Sequence, residues 1–276
     1  MQRRDTVAMP PTASALDFHT QCASRTHTHR AVSVDFRDLR GIRLFADLSD
    51  DRLQRLAESA SQRQLAPCMM VIEEGAACGA VYVPLEGTLE VFSGFDDEEI
   101  VIDVVHAGAA VLLGAVIAEL PCVASVRTLS AARILVIPAA AVRELFDHDR
   151  TFARAVACEL SRCCYGMLAA LKSLKQHSSM ERLADWLLRA DAGSNGAREF
   201  TLPCGKRTLA SLLGMTPESL SRSLRILADR GVVTMRGRDA KILNRGALSA
   251  IIRAVESTAN VIPERLARRP ATRKES

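Results

Sequence analysis

The chain has 276 residues, 48% of them apolar and 25% charged, with a formal net charge of +4, so it can bury two small cores and its mild basicity alone proves no nucleic-acid partner. No apolar run reaches bilayer length and MQRRDTVAMPPTASALDFHTQ lacks an apolar core of signal-peptide length, which excludes a membrane span and points to the cytoplasm. In that reducing compartment the eight cysteines (Cys22, Cys68, Cys78, Cys122, Cys158, Cys163, Cys164 and Cys204) are expected as free thiols, and with no CxxC pair and no His at finger spacing they form no metal site.

Residues 1–36 mix Pro, Ser, Thr, Gln and His without periodicity and are expected to form a mobile arm, with His19, Cys22, His27 and His29 as polar residues of it rather than metal ligands. Ser49 then caps a predicted helix over 49–60 whose apolar face carries Leu53, Leu56 and Ala57. From 68 to about 137 come short strands, MMVIEEGA, AVYVPLEGTLEVFSG, EEIVIDVVHAG and ARILVIP, punctuated by Gly75, Gly79, Gly87, Gly94 and Gly108. Strands this short at this spacing predict a small antiparallel roll, with Asp96, Asp97, Glu98 and Glu99 in a solvated hairpin loop.

Such a roll needs a second element to cover it, and the helical segment from about 149 to 175 is expected to do so. Along it Val156, Leu160, Cys163, Met167, Ala170 and Leu174 recur at heptad spacing. A seam holding Cys, Met and Ala is weak alone, so a parallel homodimer contact shared with the roll is expected. The pattern breaks at 176-QHSS-179. Ser178 and Glu181 stand at capping-box spacing and start a new helix that carries Leu183, Ala184, Trp186 and Leu187 into a second core, leaving Gln176 and His177 as the joint.

After 191-DAGSNG-196, the segment 205-GKRTLASLLG-214 is a predicted helix ending at Gly214, and 214-GMTPESLSRSL-224 opens the next, with Thr216 as cap, Pro217 in the first position and Leu220, Leu224 and Leu227 on its apolar face. Two helices joined by so short a Gly-containing turn are a helix-turn-helix. VVTMRGRDAKILN follows as strand, turn, strand, with Arg236, Gly237, Arg238 and Asp239 at the tip of a wing. Between 200 and 245 nine basic residues face three acidic ones. On the outer face of the second helix Glu218, Ser221 and Arg222 share one patch: Glu218 can accept from a cytosine amino group, Arg222 can fork onto guanine and Ser221 can pair with a base or phosphate. Thr216, Arg225, Lys206, Arg207 and Arg238 are assigned to phosphates. The plainer alternative for Glu218 and Arg222 is an exposed salt bridge worth ~0.3–0.5 kcal/mol.

Over about residues 40 to 248 this order of elements, with TPESLSR matching an E-x-x-S-R recognition pattern, resembles the Crp/Fnr family of bacterial transcription regulators. The resemblance implies a cyclic-nucleotide-binding-like roll and, through Glu218, Ser221 and Arg222, Fnr-type reading of a TTGAT…ATCAA palindrome. It also implies RNA polymerase as a partner, and activation rather than repression.

The sensor half departs from the better-known members. In 114-GAVIAELPCVAS-125, Ala115 stands where cyclic-AMP-binding relatives have Glu, and Cys122 where they have the phosphate-binding Arg, so cyclic-AMP binding is not expected. With Cys22 alone in the N-terminal arm, an Fnr-type iron–sulfur cluster has no ligand set. The linker 171-LKSLKQHSSMERLADWLL-188 is similar to relatives of the nitric-oxide-responsive Dnr/NnrR and FixK types. Heme is a candidate cofactor, with His106, Cys78, Cys122 or His177 as axial ligand, although a His in 104-VVHAG-108 is more often an ordinary surface residue. The rival is a redox thiol at Cys204, beside Lys206 and Arg207, whereas Cys158, Cys163 and Cys164 on the long helix are expected buried and inert.

The predicted architecture is therefore α+β: a mobile arm (1–36), a β-roll sensor domain (37–148), a dimerisation helix (149–176), a winged helix-turn-helix (177–250) and a C-terminal helix or tail (251–276). No nucleophile with a nearby base, no Gly-rich phosphate loop and no metal spacing points to an enzyme. The expected function is that of a homodimeric DNA-binding regulator answering oxygen limitation, nitric oxide or another redox signal. The alternatives are a constitutive or thiol-controlled regulator without a small-molecule effector, and a regulatory module acting on a partner protein.

Overall fold

The computed structural model describes residues 34–95, 98–193 and 198–252. The expected arm, with His19, Cys22, His27 and His29, lies outside the described residues apart from 34–36, as does the C-terminal segment from 253. Apart from the short stretch Ile100–Ile102, the chain divides into two compact units at Val156/Ala157.

The first unit opens with helix α1 (Phe36–Arg40), which the sequence did not signal; Asp35 caps it by accepting from the Arg37 N–H at 2.9 Å. Helix α2 (Asp50–Ser59) starts at Ser49, whose hydroxyl accepts from the Arg52 N–H, and buries Leu53, Leu56 and Ala57 as their spacing requires. Seven strands follow: β1 (Ser61–Leu65), β2 (Met70–Ile72), β3 (Ala80–Glu86), β4 (Leu89–Phe95), β5 (Glu98–Val105), β6 (Ser125–Thr128) and β7 (Ala132–Pro138), with α3 (Leu113–Ile117) between β5 and β6. They form two sheets, ordered β1-β7-β3 and β2-β6-β4-β5. Strand β7 pairs antiparallel with both β1 and β3, and β6 with both β2 and β4. Ile72, Leu89, Val91, Val126 and Ile134 fill the space between them. At the β3–β4 turn Gly87 has φ +81°, and a Cβ there would lie 2.4 Å from the Ala131 carbonyl oxygen, so only glycine fits.

Glu98 and Glu99 do not sit in a loop as expected but open β5. The guanidinium of Arg127, on β6, explains this for Glu99. It reaches Glu90 on β4 at 2.6 Å and Glu99 on β5 at 2.8 Å while lying over the Phe92 ring, 4.1 Å from its centroid. Burial lowers the pKa of this guanidinium, but the Glu90 charge and the bonds to Glu99 and Glu90 outweigh it and the net direction is upward.

Helix α4 (Ala139–His148) leads into the 27-residue α5 (Arg150–Gln176). Phe152 and Val156 are buried at the start of α5, and Phe152 stacks on Phe45 with ring centroids 5.8 Å apart. Val156 is therefore taken up in the core of this unit. Beyond it Leu160 is half-buried while Cys163, Met167, Ala170 and Leu174 are exposed, and so are Cys164, Leu168 and Leu171 in the adjoining row. Cys163 and Cys164 are thus not buried in this chain as expected, and Cys158 is only partly so.

The second unit continues through α6 (Ser179–Gly193), β8 (Glu199–Thr201), α7 (Lys206–Leu212), α8 (Pro217–Asp229), β9 (Val233–Arg236), β10 (Asp239–Ile242) and α9 (Arg245–Ile251). The capping box at the start of α6 is complete: the Ser178 N–H donates to Glu181 Oε2 at 2.7 Å and the Glu181 N–H to Ser178 Oγ at 3.3 Å. Leu183, Leu187, Leu202, Leu209, Leu220 and Leu227 form the core, with Trp186 edge-on to Phe200. Strands β8, β10 and β9 pair antiparallel in that order. β8 is a three-residue strand too short to be read from alternation.

Candidate nucleic-acid interface

The turn between α7 and α8 is closed by the Gly214 N–H donating to the Ser211 carbonyl at 2.9 Å and the Met215 N–H to the Ala210 carbonyl at 3.0 Å. Gly214 has φ +59°, the left-handed conformation that stops α7 and lets the chain turn back at once. Thr216 Oγ1 accepts from the Ser219 N–H at 3.2 Å and caps α8, with Pro217 in its first turn. Leu220, Ser223, Leu224 and Leu227 bury one face of α8. That face fixes which side looks outward.

The outward side carries Glu218, Ser221, Arg222 and Arg225, all exposed. Among the described residues no ion pair joins Glu218 to Arg222, so the acceptor and the guanidinium fork both stand toward solvent rather than satisfying each other. Hydrogen bonds from its own backbone N–H and from the Thr216 side chain hold the Glu218 carboxyl below the usual carboxylate range. It is therefore an acceptor throughout the neutral range, as pairing with an amino group requires. Thr216, assigned to phosphate, spends its oxygen on the cap. Lys206 and Arg207 are exposed in the first turn of α7. Arg238, at the wing turn, is exposed but its guanidinium donates to the Leu202 carbonyl at 2.6 Å, which pins the wing to the segment after β8. Lys241 pairs with Glu199 and is withdrawn from the basic surplus.

Sequence reasoning missed Arg182. From α6 its guanidinium donates to the Leu213 carbonyl at 2.7 Å, the Gly214 carbonyl at 3.0 Å and the His177 carbonyl at 2.7 Å. One side chain thus holds both carbonyls at the helix-turn-helix corner and the joint at the end of α5. The only hint was its place beside Glu181 in the capping box. His177 itself is partly buried, with its ring 3.4 Å from Ser173 Oγ.

In the first unit a cavity of about 330 Å³ is lined by Met70, Val71, Ile72, Glu73, Ala76, Ala77, Cys78, Gly79, Ala80, Tyr82 and Cys122. Cys78 and Cys122 are joined there by a disulfide, which corrects the expectation of free thiols throughout. While the bond stands neither sulfur is an axial thiolate, the lining holds no imidazole, and His106 is an exposed residue at the end of β5. In this disulfide-bonded form the lining therefore offers no axial heme ligand. Nor do these residues suit a cyclic phosphate: the lining holds no Arg or Lys, its one acidic residue is Glu73, and Ala115 lies in α3 without a polar group to offer. Cys204 is 2% exposed, so its sulfur is buried rather than presented at the surface beside Lys206 and Arg207. No group of three His, Cys, Asp or Glu suited to a metal occurs among the described residues, and no helix among them is long and apolar enough to cross a membrane.

Residues 62–149 match the family model of the cyclic nucleotide-binding domain and residues 181–251 that of the Crp-like helix-turn-helix domain. Among solved structures the chain is similar to FixK2 from Bradyrhizobium japonicum, with a TM-score of 0.64 at 19% identity over 71% of this chain and 99% of that one. It is similar to the c-di-GMP responsive global regulator CLP from Xanthomonas campestris, with a TM-score of 0.60 at 18% identity over 70% and 99%. It is also similar to a CooA mutant from Carboxydothermus hydrogenoformans, with a TM-score of 0.64 at 13% identity over 81% and 98%. A search of curated proteins returned no match.

Proposed function

The chain belongs to the Crp/Fnr family of DNA-binding transcription regulators, and from that premise we propose that it acts in the cytoplasm as a homodimer that reads a TTGAT…ATCAA-like palindrome and answers a redox signal. The observation that carries the reading of DNA is the outer face of α8, where Glu218, Ser221 and Arg222 stand exposed on one patch beside the helix N-terminus with no internal ion pair to satisfy them. Arg225, Lys206 and Arg207 supply phosphate contacts around it. The homodimer rests on the exposed strip of α5, where Met167, Leu168, Leu171 and Leu174 are each 47% exposed or more, too much apolar surface along one helix to leave in water. Two copies meeting there would present two recognition helices to half-sites about one helical turn (~34 Å) apart. RNA polymerase is the partner this reading implies.

The signal is assigned to redox chemistry because the roll's cavity offers two sulfurs in place of phosphate ligands. A selection from randomised duplexes with the purified protein tests the DNA reading: enrichment of inverted repeats with a TTGAT-like half-site is expected, and recovery of unrelated or non-repeated sites would overturn it.

A further inference from the structure

We infer that Cys78 and Cys122 are a reversible dithiol–disulfide site through which small disulfides, of the oxidised-glutathione class, set the affinity of this regulator for DNA. The inference rests on the DNA-binding reading above and adds the site and chemistry of its signal. The two cysteines lie 44 residues apart in sequence, on the β2–β3 loop and on the loop between α3 and β6, with Cα atoms 5.8 Å apart. Backbone bonds hold these loops together independently of sulfur: the Gly75 N–H donates to the Cys122 carbonyl and the Cys122 N–H to the Ala76 carbonyl, both at 2.8 Å, beside a bridge between Ala77 and Pro121. Reduction therefore leaves the two thiols facing each other, and reoxidation needs no search. Both sulfur-bearing residues line the cavity, which gives a small reagent its way in; Cys78 is partly exposed and Cys122 is 3% exposed. A disulfide in a reducing compartment is more often transient and sensing than structural.

The chemistry is a pair of exchanges. The Cys78 thiolate attacks one sulfur of glutathione disulfide and expels a glutathione thiolate, leaving a mixed disulfide. The Cys122 thiolate then attacks Cys78 sulfur and expels the second glutathione thiolate. Two protein thiols become one disulfide, one glutathione disulfide becomes two glutathione thiols, and the two protons pass to them.

The same loop is wired to the helices that follow. Glu119, three residues before Cys122, lies 3.8 Å from the Arg143 guanidinium on α4, and Arg143 also donates to the Val116 carbonyl of α3 at 3.3 Å. Asp149 follows the last residue of α4, and its carboxylate accepts from the Phe152 N–H at 2.9 Å and so caps α5. A change in the 118–122 loop is thereby carried to the first turn of the long helix.

The test uses the full-length protein, prepared anaerobically with dithiothreitol or with oxidised glutathione. Differential alkylation with peptide mass mapping locates the bond, and fluorescence anisotropy measures binding to the palindromic duplex. A linked Cys78–Cys122 peptide in the oxidised sample, with a dissociation constant changed by about fivefold or more and no such change in Cys78→Ser or Cys122→Ser, supports the proposal. Two thiols that stay unlinked under oxidant, or linkage with the same affinity in both states, overturns it. The comparison of reduced and oxidised wild type needs no substitution, so a misfolded variant does not spoil it. Linkage that forms while neither state binds the palindrome would support the thiol site and sink the DNA reading instead.

Discussion

Replacing Arg182 with Met removes a guanidinium that holds three carbonyls while keeping most of the apolar stem. Its bonds to Leu213 and His177 are 2.7 Å long and partly buried; that to Gly214 is 3.0 Å and open to water, which can take its place. Hydrogen bonds from a charged donor are worth ~1.5–3 kcal/mol each, and with two counted near the low end the loss is about 3–4 kcal/mol. Folded domains have roughly 5–15 kcal/mol to lose, so the variant should still fold. What loosens is the corner that sets the position of α8. Hydrogen exchange followed by mass spectrometry should show faster exchange at Gly214 and Met215, and anisotropy should show palindrome binding weakened about tenfold or more, equivalent to ~1.4 kcal/mol. Arg182→Lys should fall between, because an ammonium cannot fork across separate carbonyls. Unchanged exchange in the 213–216 turn together with unchanged affinity in Arg182→Met would refute this account.

Glu218→Ala should relax preference at the cytosine-bearing position by ~1–3 kcal/mol of discrimination, measured on duplexes that differ at that base pair. Because the folded pKa of Glu218 is depressed, its carboxylate persists above and through the usual carboxylate range and is lost only as pH falls below it; wild-type base preference should thus stay constant from about pH 8 to about pH 5. Arg225→Ala should weaken binding to all sequences alike and reduce the slope of log affinity against log salt by about 1, whereas a sequence-dependent loss would mark Arg225 as a base reader. Leu171 is 48% exposed, so Leu171→Glu should leave the fold intact while shifting sedimentation toward monomer and weakening palindrome binding with it; dimers that persist would remove α5 from the interface.

The elements legible in the sequence were those with strong local codes. Ser49, Ser178 with Glu181, and Thr216 with Pro217 each mark a helix start, and the structure uses each as a cap. Gly214 was legible as the end of α7, where its φ of +59° stops the helix. Strands β1, SQRQL, and β6, SVRT, escaped because neither alternates in hydrophobicity; their place is set by long-range pairing with β7 and with β2 and β4. The face of α8 could be read because helical periodicity alone puts Glu218, Ser221 and Arg222 together. Arg182 and the Cys78–Cys122 bond could not, since each depends on segments 31 or more residues apart that only the tertiary fold brings within reach.

The pairing of β7 with both β1 and β3 bears on how the chain is made. Ser61 faces Val136, so β1 leaves the ribosome 75 residues before its partner exists. At synthesis rates of ~5–20 residues per second the early strands wait roughly 4–15 s with open edges, and the roll closes only when β7 arrives. The helix-turn-helix is translated after β7, with its own start signal at Ser178. A nascent chain with an unfinished sensor therefore has no recognition helix with which to occupy DNA, and the order of synthesis itself keeps incomplete molecules from competing at the promoter.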